Sequence, residues 1–170
     1  FLMINELTGE VNDTFLFADC GVNINPSVEQ LVEIAIESYH TWQSIPFLSQ
    51  VKPSMAFLSF STNGSANHEH VIKMRQACQA FKSRFPHVDC DGEIQFDAAV
   101  DQEIRRQKYP QSSLKDNANI MIFPNLDAGN ISYKIAQRLG KYHAVGPILQ
   151  GLKLPLSDLS RGSTVDDIVI

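Results

Sequence analysis

Two short apolar runs, Met55 to Phe60 and Asn119 to Phe123, are each followed by a polar segment containing glycine and then by a stretch of helical character. A continuous apolar run of this length marks a strand buried on both faces, which occurs in parallel sheets covered by helices on each side. The first run passes through Ser61-Thr62-Asn63-Gly64-Ser65 into a helix expected to end near Arg84. The second passes through a polar turn, Pro124 to Asn130, into a helix from Ile131 to Leu139 that Gly140 stops. A third strand is expected at His143 to Leu149. Upstream, Phe1 to Asp19 reads as a hairpin turning at Thr8 to Asp13, and Asn25-Pro26-Ser27 opens a helix. On that helix Leu31, Ile34, Ala35, Ser38 and Trp42 share one face, and Glu29, Glu33 and Glu37 share another. Strands alternating with helices define the expected fold class. It is α/β, a mostly parallel sheet sandwiched between helices in three α-β-α layers.

With 170 residues, 44% of them hydrophobic, the chain can close the core of one ordinary domain. Its formal charge of −5 is mild and no long block of like charge occurs, so neither nucleic acid nor an anionic membrane is an expected partner. Cys20, Cys78 and Cys90 form neither a CxxC pair nor an even set, which argues against a disulfide framework and a zinc site. A cytoplasmic location is the default expectation. No apolar run approaches the roughly 18 residues of a membrane helix, and the amino end lacks a signal-peptide pattern. Phe1 stands first, Met3 is internal, and Ile170 interrupts a helix-like pattern, so the sequence reads as a piece of a longer polypeptide.

In open parallel sheets ligands bind beyond the carboxyl ends of the strands, where loops feed helix N-termini. Three segments suit that position: Ser59 to Ser65, Asn125 to Asn130, and Ser157 to Thr164. Ser61, Thr62 and Ser65 offer hydroxyls beside a flexible Gly64, a cradle for phosphate without the spacing of a P-loop. The alternative is a plain turn whose Ser65 caps the next helix. Lys134 and Arg138 lie four apart and form either a cationic patch or a solvated face. Ser160-Arg161-Gly162 sets a hydroxyl beside a guanidinium fork suited to phosphate, with Asp166 and Asp167 shortly after. Those aspartates equally suit the first turn of a helix capped by Thr164. Asp91, Glu93 and Asp97 depart from calcium-loop spacing and read as a cleft lining or a strand edge, so no metal is expected. His68-Glu69-His70 is not HExxH and fits an exposed helix start, and no GxSxG hydrolase pattern occurs.

These segments together resemble the phosphate acetyltransferase family. The matching stretches are FADCGVNINPS (Phe17 to Ser27), LSFSTNGSA (Leu58 to Ala66), DGEIQFDAA (Asp91 to Ala99), NIMIFPNLDAGNISYKIAQRL (Asn119 to Leu139), GPILQGLKLP (Gly146 to Pro155) and DLSRGSTVDDIV (Asp158 to Val169). They run in family order over nearly the whole chain. Phosphate butyryltransferases usually lack the combined DGEIQFDAA and DLSRG pattern, and the related tails of some malic enzymes depart from it after Ser-Arg-Gly. Ser163 stands where many members carry cysteine.

The resemblance implies an isocitrate/isopropylmalate dehydrogenase-like fold of two α/β domains, with the active site between them and dimerisation through the second. On this chain, residues 1 to 148 would be the second domain and 149 to 170 the segment returning to the first, the rest of which is absent. It also implies reversible, direct transfer of an acetyl group between coenzyme A and inorganic phosphate, giving acetyl phosphate, with coenzyme A as substrate and no tightly bound cofactor. Asp167 would take the thiol proton, Arg161 would hold phosphate, and Ser160 would hydrogen-bond the reacting oxygens. Ser61, Thr62 and Ser65 would complete the phosphate pocket, with Lys134 and Arg138 on the coenzyme A wall. An aspartate near pKa 3.9 is a poor base for a thiol near 8.5, so the reaction needs either a carboxylate raised by desolvation or a thiolate stabilised by a neighbouring cation, and Arg161 would supply the second route. The competing readings are a non-catalytic acyl-CoA sensor, as in malic enzyme tails, and a phosphate butyryltransferase.

Overall fold

The computed structural model describes residues 1–154, 156–158 and 165. The expected hairpin forms from β1 (Leu2–Asn5) and β2 (Thr14–Ala18), paired antiparallel with Leu2 opposite Leu16. Helix α1 (Val28–Ser44) starts at Ser27, whose hydroxyl accepts from the Gln30 N–H while the Gln30 side chain accepts from the Ser27 N–H. This reciprocal cap satisfies two N–H groups that the helix itself cannot. The inward face of α1 carries Leu31, Val32, Ala35, Ser38 and Trp42. The Trp42 indole donates to the Val51 carbonyl at 2.9 Å.

Strand β3 (Ser54–Leu58) is buried along its whole length and leads to α2 (Glu69–Arg84). Strand β4 (Asp89–Ile94) lies parallel to it, followed by two short helices, α3 (Phe96–Val100) and α4 (Gln102–Lys108). Strand β5 (Ile120–Ile122) feeds α5 (Leu126–Leu139). This helix begins five residues before the expected Ile131, because the Asn125 side chain accepts from the Ala128 N–H and turns the polar segment into a capped first turn. The third strand is divided into β6 (Tyr142–Val145) and β7 (Ile148–Leu149), the latter pairing with β8 (Leu156–Ser157) in a separate ribbon. Between them Pro147 has no N–H to continue a ladder, and Gly146 has φ +138°.

The main sheet runs in the order β4-β3-β5-β2-β1-β6, and of its strands β1 alone opposes the rest. Alternation along each strand divides the core. Leu16, Met55, Phe57, Ile120 and Ile122 face α1 and α2. Met3, Phe17, Ala56, Leu58 and Met121 face α3 and α5. Helices therefore cover both faces, and the loops after β2, β3, β4 and β5 gather at one edge of the sheet.

Candidate functional site at the carboxyl edge of the sheet

The loop after β3 has the composition of a phosphate cradle, but its groups point inward. Every N–H from Ser61 to Ala66 has an internal acceptor: Ser59 Oγ, Ser65 Oγ, Glu93 O, Glu93 Oε1, Thr62 O and Ser61 Oγ in turn. The Ser61 hydroxyl donates to Glu93 Oε1 at 3.1 Å, and the Thr62 hydroxyl donates to Gln95 Oε1 at 3.1 Å while accepting from the Gln95 N–H at 2.9 Å. Ser61 and Thr62 are buried, and only Ser65 of the expected trio is exposed. In this structure Ser61 braces the loop on Glu93 and Thr62 braces it on Gln95. Ser65 does not cap α2; His68 does, through Nδ1 and the His70 N–H.

Glu93 itself is 1% exposed and bound by Arg75 through two hydrogen bonds of 2.7 and 3.0 Å. Burial pushes its carboxyl up, but Arg75, the Gly64 N–H and the Ser61 hydroxyl outweigh that and hold it below the usual carboxylate range. Asp91, the other buried acid of β4, pairs with Lys82 at 2.7 Å and accepts from the N–H groups of Ser113 and Leu114. The acidic segment is thus an edge strand with paired carboxylates. Among the described residues no group of three or more His, Cys, Asp or Glu side chains could hold a metal ion.

The loop after β2 is built on Asp19. Its carboxylate accepts from the N–H groups of Gly21, Val22 and Asn23 and from the Asn23 amide, at 2.7 to 3.1 Å. Burial pushes the carboxyl up, yet these donors outweigh it and leave it below the ordinary range. The first turn of α5 locks onto this loop. The Asn130 amide donates to the Cys20 carbonyl at 3.1 Å, and a Cβ on Gly129 would stand 2.2 Å from the Asp19 carbonyl oxygen. Gly129→Ala is therefore expected to force the helix off the loop and destabilise the protein by about 2 kcal/mol or more, read as a lower denaturant midpoint.

A cavity of about 500 Å³ opens beside this loop, between Leu16 to Asn23, the Glu29–Glu37 side of α1 and Pro147 to Leu152. Gln150 fastens the last of these walls to α1 through Thr41 and Ser38, at 3.0 and 3.2 Å. Cys20 lines the cavity, and burial pushes its thiol up to about 12, which favours the protonated form at neutral pH. Sequence reasoning placed the Asp19 to Asn23 stretch within a family-like motif but assigned it no role. Its signal was an aspartate closely followed by glycine and asparagine, the composition of a side-chain-braced turn.

Lys134 and Arg138 lie on the exposed side of α5, about 12 and 18 Å along the helix from its start. Lys134 donates to the Tyr133 hydroxyl at 3.0 Å. Neither is brought to the Ser61–Ser65 loop by the contacts described. Ser160, Arg161 and Asp167 lie outside the described residues.

Residues 1–170 match the family described as phosphate acetyl/butaryl transferase. The chain is 47% identical over 156 residues to the phosphate acetyltransferase of Bacillus subtilis (strain 168), an alignment covering 92% of this chain and 47% of the relative. It superposes on a phosphotransacetylase from Streptococcus pyogenes with a TM-score of 0.88 and 46% identity, covering 99% of this chain and 49% of that one. A branched-chain phosphotransacylase from Enterococcus faecalis V583 gives a TM-score of 0.73 and 26% identity, with 96% and 58% covered. The chain spans about half the length of the curated relatives it matches.

Proposed function

The chain belongs to the phosphate acetyl/butaryl transferase family, and on that premise we propose that the protein moves an acetyl group between coenzyme A and inorganic phosphate. The observation that carries this reading is 47% identity to a phosphate acetyltransferase across 92% of the chain. The lower likeness to the branched-chain transacylase, 26% against 46%, favours acetyl over larger acyl groups. Coenzyme A is substrate here, and no bound cofactor is invoked.

In this reading residues 1 to 148 are the second domain and the chain from about residue 149 returns to the first. Asp167 accepts the thiol proton, Arg161 holds phosphate and offsets the charge developing at the acyl centre, and Ser160 hydrogen-bonds the reacting oxygens. Ser61, Thr62 and Ser65 complete the phosphate pocket from a loop whose hydroxyls are braced on Glu93, Gln95 and one another. Lys134 and Arg138 serve coenzyme A beyond the immediate cleft. No described helix is long and apolar enough to cross a membrane; a cytoplasmic location belongs to the same proposal. The test is phosphate-dependent release of thiol from acetyl-CoA by the full-length protein. Binding of acetyl-CoA without turnover would instead mark a sensor, and equal or faster turnover of butyryl-CoA would move the assignment to the longer acyl group.

The homodimer belongs to the same proposal. An apolar groove of about 450 Å³ lies between α3 and α5, lined by Phe96, Val100, Phe123, Ile135 and Tyr142 among others. Along α5, Ile131, Ile135 and Leu139 are 56, 53 and 82% exposed. This exposed apolar stripe is the face on which a second copy would pack about a two-fold axis. Ile135→Glu is expected to weaken the dimer at least about thirtyfold, seen as monomer by light scattering.

A further inference from the structure

Most cations held against the body of this domain meet a carboxylate: Lys52 with Asp89, Arg75 with Glu93, Lys82 with Asp91, Arg84 with Glu33, Lys108 with Asp97. Lys73, on the second turn of α2, is half-buried and is held differently. Its ammonium donates to Asn25 Oδ1 at 2.9 Å, to the Pro26 carbonyl at 3.2 Å and to the Pro124 carbonyl at 2.9 Å. All three protons are used, all three acceptors are neutral, and among the described residues Lys73 forms no ion pair. Burial pushes its ammonium below the usual lysine range, and no carboxylate offsets that.

The acceptors place this charge. Asn25 and Pro26 end the loop after β2 that Asp19 braces and the cavity adjoins, and Pro124 lies between β5 and the Asn125 cap of α5. The same loops are joined by the Leu126 N–H to the Ile24 carbonyl at 3.0 Å. A surface lysine loses its field to solvent and to side-chain motion, whereas a three-point mount fixes both the position and the direction of the charge. Neutral oxygens, two backbone carbonyls and the Asn25 side-chain amide, satisfy its hydrogen bonds without cancelling its positive charge.

We infer that Lys73 is a built-in positive charge at the carboxyl edge that draws the anionic reactants, phosphate and acetyl phosphate, into the cleft, with the two loops as its mount. It is a positioning residue and touches no reacting atom. This inference rests on the acyl-transfer reading above.

The experiment is a steady-state comparison of full-length wild type with Lys73→Met, Lys73→Gln and Lys73→Arg at low and high ionic strength. Lys73→Met and Lys73→Gln are expected to lower kcat/KM for acetyl phosphate about tenfold at low salt, through KM with kcat nearly unchanged. The deficit should shrink to about twofold in 0.5 M salt, where screening removes the same advantage from wild type. Lys73→Arg, which keeps the charge, should restore most of it. A deficit that is independent of salt, carried by kcat, or as large in Lys73→Arg would make Lys73 a merely structural clamp and overturn the inference, as would wild-type kinetics in Lys73→Gln. Should Lys73→Met fail to fold, Lys73→Gln and Lys73→Arg still decide the matter. An inactive wild type would instead refute the proposed reaction.

Discussion

Asp167→Asn and Arg161→Gln in the full-length protein are each expected to lower turnover by about two to four orders of magnitude, with acetyl-CoA still bound. The two losses should differ in kind. The coenzyme A thiol, like other alkyl thiols, is largely protonated at neutral pH, so in the direction that forms acetyl-CoA raising the pH supplies thiolate without a base and should recover part of the Asp167→Asn deficit. It should recover little for Arg161→Gln, because a neutral amide cannot offset the charge spread over thiolate, acyl oxygen and phosphate. Stopped assays of acetyl-CoA formation from acetyl phosphate and coenzyme A across pH 6 to about 9 would show the difference. Activity within a fewfold of wild type in either variant would remove that residue from the mechanism.

Glu93→Ala is expected to be the most damaging change among the described residues outside the apolar core. It strips Arg75 of its partner and leaves the Gly64 N–H and the Ser61 hydroxyl without their acceptor. Breaking a buried ion pair costs about 3–5 kcal/mol, and the half-exposed Arg75, which water can resolvate, brings the expectation to about 2–4 kcal/mol. Chemical denaturation would measure the stability loss, and protease nicking between Phe60 and Ala66 would report the loosened loop. The pH dependence follows from the same contacts. Glu93 and Asp19 both titrate below the ordinary carboxylate range in the folded protein. The stability they contribute is therefore complete above about pH 4.5 and is lost as pH falls through their lowered values. Glu93→Gln should flatten the acid limb of the stability profile even where it folds; an unchanged limb would place the acid sensitivity elsewhere.

The parallel sheet was legible because Met55 to Phe60 and Asn119 to Phe123 are apolar without alternation, and only burial on both faces accommodates that. The start of α1 was legible for a similarly local reason, since Asn25-Pro26-Ser27 carries its own cap. Strand β4 was not called as a strand of its own. Asp91 and Glu93 look like solvent-facing groups until Lys82 and Arg75 arrive from α2, 9 and 18 residues away in sequence. The early start of α5 was hidden for the opposite reason, because Asp127, Gly129 and Asn130 resemble a turn until the Asn125 cap and the Asp19 loop hold them helical.

The sequence by itself determined the family, the alternating architecture and which loops meet at the carboxyl edge, since these depend on periodicity and motif order along the chain. The tertiary structure decided what the polar residues do there. Ser61 turns inward because the buried Glu93 carboxylate needs donors, and Thr62 because Gln95 supplies both an acceptor and a donor for its hydroxyl. The charge of Lys73 is left uncompensated because the three oxygens that hold it are neutral. Composition names the groups, and only the partners that folding brings to them settle which are consumed and which remain for a ligand.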